Sequence, residues 1–305
     1  MSSLQNIIYF QAGLGMVANI VLFFFYTFII VGHKPKPTDL ISWQLTFIHI
    51  MMILTGGDIW LADIFESLNI ENDLKCKATF YTSRMMRGLS ICITCLLSVF
   101  QAVTISPSTS VLAKFKHKLK KYTIYAFLCI WSFNLSFTSN RIFYVGAYTN
   151  MSETSQMKVT KYCALFPMNY IIEGLILIVA TSRDVFLVGI MLITSTYMVI
   201  ILFRHQRKCK HLHNISHLRT SPEKRATQTI LVLVIFFVVM YWVDSIISST
   251  SVLLWMYDTV TLTVQKFVMN VYPTITPLVQ ISSDSRIINV LKNMHSKHYH
   301  ILKIN

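Results

Sequence analysis

Two arginines and an aspartate lie inside runs that are otherwise apolar: Arg84 and Arg87 in the stretch 77–104, and Asp244 in the stretch 226–249. At the centre of a membrane-spanning helix each such charge costs ~2.5–3.5 kcal/mol, so charges retained there mark candidate functional sites. At helical spacing Arg84, Arg87 and Gly88 are related as i, i+3 and i+4 and share a face, with Tyr81 one turn above. The chemistry open to them is a guanidinium–carboxylate pair between two helices, satisfying both charges and lining a cavity for a small ligand. The alternative is that both arginines snorkel toward headgroups or water. Asp58, Arg141, Arg183, Asp184 and Lys266 lie nearer the ends of their runs, where charge is cheap, and carry less weight.

The other reactive side chains point away from catalysis. Cys92 and Cys95 have the spacing of a redox pair but fall inside the run 77–104, where small apolar packing is the simpler reading. His205, His211, His213 and His217 cluster in a basic stretch with almost no acidic ligands, which suits a solvated segment better than a metal site. The motifs of zinc hydrolases, serine hydrolases and nucleotide-binding loops are missing from the sequence. The expectation is a protein that is not an enzyme and uses no cofactor.

These residues must be positioned by membrane helices. Of 305 residues, 54% are hydrophobic and 13% charged, about half the charge of a soluble domain. Unbroken apolar runs recur, each long enough to cross ~30 Å of hydrocarbon as a helix, whereas a barrel would need short alternating segments. The expected fold is an all-α membrane protein, a single seven-transmembrane-helix bundle over 1–305, with spans at about 7–31, 39–61, 77–104, 122–145, 178–203, 226–249 and 262–281. The nearly continuous apolar stretch 171–201 leaves room for an eighth crossing. Glu173, Arg183 and Asp184 interrupt it, however, and no reversing turn divides it. Asn19 and Trp131 are expected to support helix packing, and Pro273 and Pro277 to weaken the seventh helix by freeing backbone carbonyls.

Charge placement predicts the orientation. Most of the 27 Lys and Arg residues fall on alternate loops: Lys34 and Lys36; Lys114, Lys116 and their neighbours; Arg204, Arg207, Lys224 and Arg225; and the tail from Arg286. The positive-inside rule puts these loops in the cytoplasm, with the N-terminus outside. The net charge of +14 is then a topology signal and not a nucleic-acid footprint. The opening segment lacks the basic start of a cleaved signal peptide, so the expectation is neither a cleaved leader nor an ectodomain for a large protein ligand, and no internal repeat supports a transporter. In this topology Cys76 and Cys163 alone among the 6 cysteines face the oxidising side, where they either bridge or stay as free thiols. Of the sequons at Asn134, Asn150 and Asn214, only Asn150 lies in an outer loop and is a credible glycosylation site.

Several separated segments carry a resemblance. They are Lys34-Pro35-Lys36-Pro37-Thr38-Asp39, the stretch from Thr94 to Ser106-Pro107, and Ser221-Pro222-Glu223-Lys224-Arg225-Ala226. Further matches are Phe80-Tyr81, Arg87-Gly88, Arg183-Asp184-Val185, Tyr272-Pro273-Thr274 and Ser283-Asp284-Ser285-Arg286. Together these resemble the vomeronasal type-1 pheromone receptors, a family of G-protein-coupled receptors, over nearly the whole chain. Where rhodopsin-like receptors read Asp-Arg-Tyr, this chain has Gln101-Ala102-Val103, and Tyr272-Pro273-Thr274-Ile275-Thr276 replaces Asn-Pro-x-x-Tyr, as the vomeronasal family also shows.

The resemblance implies a receptor of the cell (plasma) membrane that detects small, often volatile or sulfated semiochemicals and signals through a heterotrimeric G protein of the Gi/Go type. It also supports the Cys76–Cys163 bridge and glycosylation of Asn150. Ligand contact is expected at Tyr81, Arg84, Arg87 and Asp244. The G-protein-facing surface is expected at Ser106, Pro107, Lys114, Lys116, Arg204, Arg207, Lys224 and Arg225, where anionic membrane lipid is an equal partner for the basic residues. The alternatives are a channel or transporter using the buried charges as a polar path, or a bitter-taste-like chemoreceptor of the same fold.

Overall fold

The computed structural model describes residues 2–32, 35–56, 72–107, 115–116, 118–147, 157–158, 163–166, 169–212, 231–232, 234–247, 259–284 and 286–288. Seven helices stand among them, six long and one shorter: α1 (Ser2–Gly32), α2 (Pro37–Gly56), α3 (Asn72–Ile105), α4 (Leu119–Ser139), α5 (Tyr170–Leu212), the shorter α6 (Val234–Ile247) and α7 (Thr259–Ser283). Four segments, Gln5–Gly32, Pro37–Gly56, Asp73–Ile105 and Ile171–Arg204, are by themselves long and apolar enough to cross a membrane. The apolar stretch that left room for an eighth crossing is one uninterrupted helix, α5, which begins upstream of the expected span. Helix α4 stops at Ser139, and Asn140–Tyr144 continue as a 3-10 turn.

Helix α3 is the centre of the bundle. Its residues 88–95 are all buried, and Leu89, Ile91 and Ile93 are fully enclosed. One core cluster packs Met85, Met86, Leu89, Ile93 and Leu97 against Ile41, Leu45 and Ile48 of α2. A second packs Ile91, Cys92 and Cys95 against Val188 and Met191 of α5, Val234 and Phe237 of α6 and Tyr272 of α7. Cys92 and Cys95 are buried free thiols. By contrast α1 turns Phe10, Val17, Phe24, Phe28 and Val31 outward, as a helix at a lipid boundary must. Trp131 packs at the edge of the first cluster.

Polar side chains join the helices where apolar packing alone would leave backbone groups bare. Pro277 has no N–H to give the carbonyl of Pro273 one turn earlier in α7. Asn19 of α1 supplies the donor, with its Nδ2 2.8 Å from that carbonyl and 2.8 Å from the carbonyl of Gly15. A Cβ added at Gly15 would stand 2.6 Å from Thr274 Oγ1, so glycine permits this approach of α1 to α7.

At one end of the bundle a small antiparallel sheet caps the helices. Strands β1 (Val145–Ala147), β2 (Met157–Lys158) and β3 (Cys163–Leu165) lie in the order β1-β3-β2, with Ala147 opposite Cys163. Cys163 is bridged to Cys76 in the second turn of α3, with Cα atoms 5.5 Å apart. The Ala147 N–H also donates to Asp73 Oδ1 at 3.1 Å, so the sheet is tied to the start of α3 twice.

At the opposite end Asp39, in the first turn of α2, is buried and receives the Arg286 guanidinium at 2.9 and 3.3 Å. It also accepts the backbone N–H of Lys36 at 3.1 Å. Arg286 is held at the same time by Asp284, 2.9 Å from its Nη2. Burial would favour a neutral Arg286, but the two carboxylates outweigh it and raise its pKa above the ordinary arginine value. Ile287, beside it, is buried against Leu22, Tyr26 and Ile29 of α1.

Candidate ligand cavity

The buried charges meet at a cavity between α2, α3, α6 and α7. Helix α3 contributes Arg87 and Ser90, one turn apart. Helix α6 contributes Phe237, Met240, Tyr241 and Asp244, whose i, i+3, i+4, i+7 spacing places them on one face. Met52 of α2 and Val268, Met269 and Tyr272 of α7 complete the lining around about 380 Å³ of space between atoms. The Arg87 guanidinium pairs with the Asp244 carboxylate, and both side chains are largely buried, at 13% and 6% exposed.

The pair is the first link of a longer polar chain. The Arg87 guanidinium lies 5.9 Å from the ring centre of Tyr241, whose hydroxyl donates to Asp184 on α5. Asp184 Oδ1 accepts from Arg183 Nε at 2.8 Å, and the Arg183 guanidinium rests 4.9 Å from the Phe137 ring of α4. Helices α3, α6, α5 and α4 are thereby joined in sequence through side chains. Below it Tyr272 is fixed by a 3.1 Å hydrogen bond to Thr94 and by edge contacts to His49 and Phe237. Two atoms of the lining stay unpartnered among the described residues: Asp244 Oδ1 and Ser90 Oγ.

Of the residues expected at the ligand site, Arg87 and Asp244 line the cavity, and Tyr81 and Arg84 do not. The Tyr81 hydroxyl donates to the Leu135 carbonyl of α4 at 3.1 Å, and Arg84 lies over the Phe80 ring at 5.4 Å. Gly88 has a packing reason: a methyl there would overlap the buried Asn134 amide of α4, which donates to the Ile130 carbonyl. Ser90, Tyr241, Asp184 and Arg183 were missed or given little weight by sequence reasoning. Serine and tyrosine raise no alarm in a membrane helix, and the Arg183-Asp184 doublet reads as boundary charge.

At the basic end Ser106 is buried, its hydroxyl 2.9 Å from the Tyr197 hydroxyl of α5, while its carbonyl accepts from Lys116 Nζ at 2.7 Å. Pro107, Arg204 and Arg207 are exposed. Lys114, Lys224, Arg225 and Asn150 lie outside the described residues. No group of three or more His, Cys, Asp or Glu side chains able to hold a metal occurs among the described residues.

Seven helices around a central α3, with a bridge from α3 to the sheet before α5 and a cavity against α6 and α7, define the G-protein-coupled receptor architecture. Squid rhodopsin superposes with a TM-score of 0.71 over 96% of this chain and 85% of its own, at 13% identity, which shows the seven-transmembrane fold. The vomeronasal organ pheromone receptor family matches residues 2–293. Vomeronasal type-1 receptor 90 of Rattus norvegicus is 40% identical over 292 residues, 95% of this chain and 94% of that one. Vomeronasal type-1 receptor 100 of the same species is 37% identical over 96% and 90%, and vomeronasal type-1 receptor 47 of Mus musculus 35% over 96% and 94%. The chain belongs to the vomeronasal type-1 receptor family. It is a multi-pass protein of the plasma membrane and a receptor, not an enzyme.

Proposed function

We propose that this receptor detects a small semiochemical through the cavity between α3, α6 and α7 and activates a Gi/Go-type G protein. The N-terminus and the disulfide end face outward. Ligand contacts Arg87 and Asp244, with Arg84 and Tyr81, one and two turns nearer the disulfide, flanking the approach. The observation that carries this reading is the buried Arg87–Asp244 pair, because it joins α3 to α6 at the cavity wall. A ligand there stabilises one helix arrangement over another by the difference in its affinity for the two. The response is read at the basic end by the exposed Arg204, Arg207 and Pro107, together with Lys114, Lys116, Lys224 and Arg225. Ser106 acts there as an internal strut between α3 and α5. The sequon at Asn150 carries a glycan.

The test is ligand-evoked nucleotide exchange on purified Gi/Go with the receptor in membranes. Exchange lost in Arg87→Ala at unchanged surface expression supports the site. Exchange untouched by that change keeps the receptor and removes the pair from its ligand site, and ion flux without a G protein sinks the receptor reading.

A further inference from the structure

The charges in the cavity limit what can bind there. We infer that its ligand is an uncharged, lipophilic small molecule carrying one hydroxyl group, and that the cavity rejects the corresponding anion. This inference rests on the cavity being the ligand site.

Among the described residues the lining holds two charged ones, Arg87 and Asp244, and they neutralise one another. A sulfate or carboxylate approaching Arg87 meets Asp244 on the same guanidinium, and displacing that carboxylate would leave it buried with no counter-charge. An ammonium group fares no better, since it must sit beside Arg87. Most of the remaining surface is apolar: Met52, Phe237, Met240, Val268 and Met269. The polar capacity left over is small and specific. Asp244 Oδ1 is an acceptor without a donor, and Ser90 Oγ is a hydroxyl without a partner, among the described residues; the two residues are 4% and 2% exposed. A ligand hydroxyl satisfies both, donating to the carboxylate oxygen and accepting from the serine.

The experiment uses the full receptor in nanodiscs, without G protein, and reads the concentration dependence of Tm. The probes are monoterpene alcohols, sesquiterpene alcohols and hydroxysteroids, each as the free alcohol, its methyl ether and its sulfate monoester. We expect at least one alcohol to raise Tm, with its ether about 10-fold weaker and its sulfate at least about 100-fold weaker. Ser90→Ala, which removes an unpartnered hydroxyl and so spares the fold, should weaken the alcohol about 10-fold. Asp244→Asn leaves Arg87 uncompensated and should reverse the order, so that the sulfate binds more tightly than the alcohol. A sulfate that matches or exceeds its alcohol in the unmodified receptor overturns the inference, as does a Tm that no alcohol moves. Sulfate-evoked nucleotide exchange would overturn it while keeping the receptor. Alcohol binding without any exchange would keep the inference and sink G-protein coupling.

Discussion

Two ion pairs in this molecule do opposite things with the same chemical groups. Asp39 at the start of α2 is saturated: it takes two bonds from Arg286 and one from the Lys36 backbone, and Arg286 is shared with Asp284. Among the described residues Asp244 in α6 has a single cationic partner, Arg87, and keeps one oxygen unpartnered beside a cavity. The first carboxylate has its demand met and the Arg286 side chain is 43% exposed, so it behaves as a clamp. The second has unmet demand in a low-dielectric setting, where a new hydrogen bond counts for more. The number of satisfied acceptors, rather than the presence of charge, separates the clamp from the proposed recognition site.

The comparison breaks most visibly at the buried pair. Asp244→Ala should destabilise the receptor by about 3–5 kcal/mol by leaving Arg87 buried and unpaired. Arg87→Met with Asp244→Leu should recover most of that loss, as thermal unfolding in nanodiscs would show. A small effect in the single variant would mean that water already screens the pair. Next comes the covalent tie: Cys76→Ser opens a bridge spanning 87 residues and should cost about 2–5 kcal/mol, read as lower Tm and lower surface expression.

A neutral link gives a sharper, intermediate test. Asn19→Ala should cost about 1–3 kcal/mol because the Pro273 carbonyl is left bare. In a Pro277→Ala background the helix supplies its own N–H, so Asn19→Ala should then cost less than about 1 kcal/mol. An unchanged penalty would show that Asn19 works through another contact. The smallest effect belongs to the clamp. Arg286→Ala should cost only about 1 kcal/mol, since Arg286 is part-exposed and Asp39 retains its backbone donor. Because the raised pKa of Arg286 keeps it charged, its contribution should not fall as pH rises through the neutral range.

The two pairs were unequally legible in sequence. Arg87 and Asp244 announced themselves because charge inside an apolar run demands a partner, and a face shared with Gly88 pointed α3 at a neighbour. Asp39 and Arg286 belong to two of the segments that carried the family resemblance, yet nothing in a linear pattern says that they touch; 247 positions separate them. The seven helices were readable because hydrocarbon enforces long unbroken runs. The sheet before α5 was not, since strands of two or three residues fall below any alternation signal. The Arg183-Asp184 doublet looked cheap at a boundary, and only the position of Tyr241 reveals that it continues the polar chain from Arg87.

The length of α5 has a mechanical consequence. Its 43 residues make a rod about 65 Å long, roughly twice the hydrocarbon thickness. Asp184, gripped by Tyr241, lies about 35 Å along that rod from Arg207. Pivoting at Asp184 by about 10° would swing the Arg207 end by about 6 Å. Helix α5 is a lever whose pivot is held by the same tyrosine that lies against the arginine in the cavity.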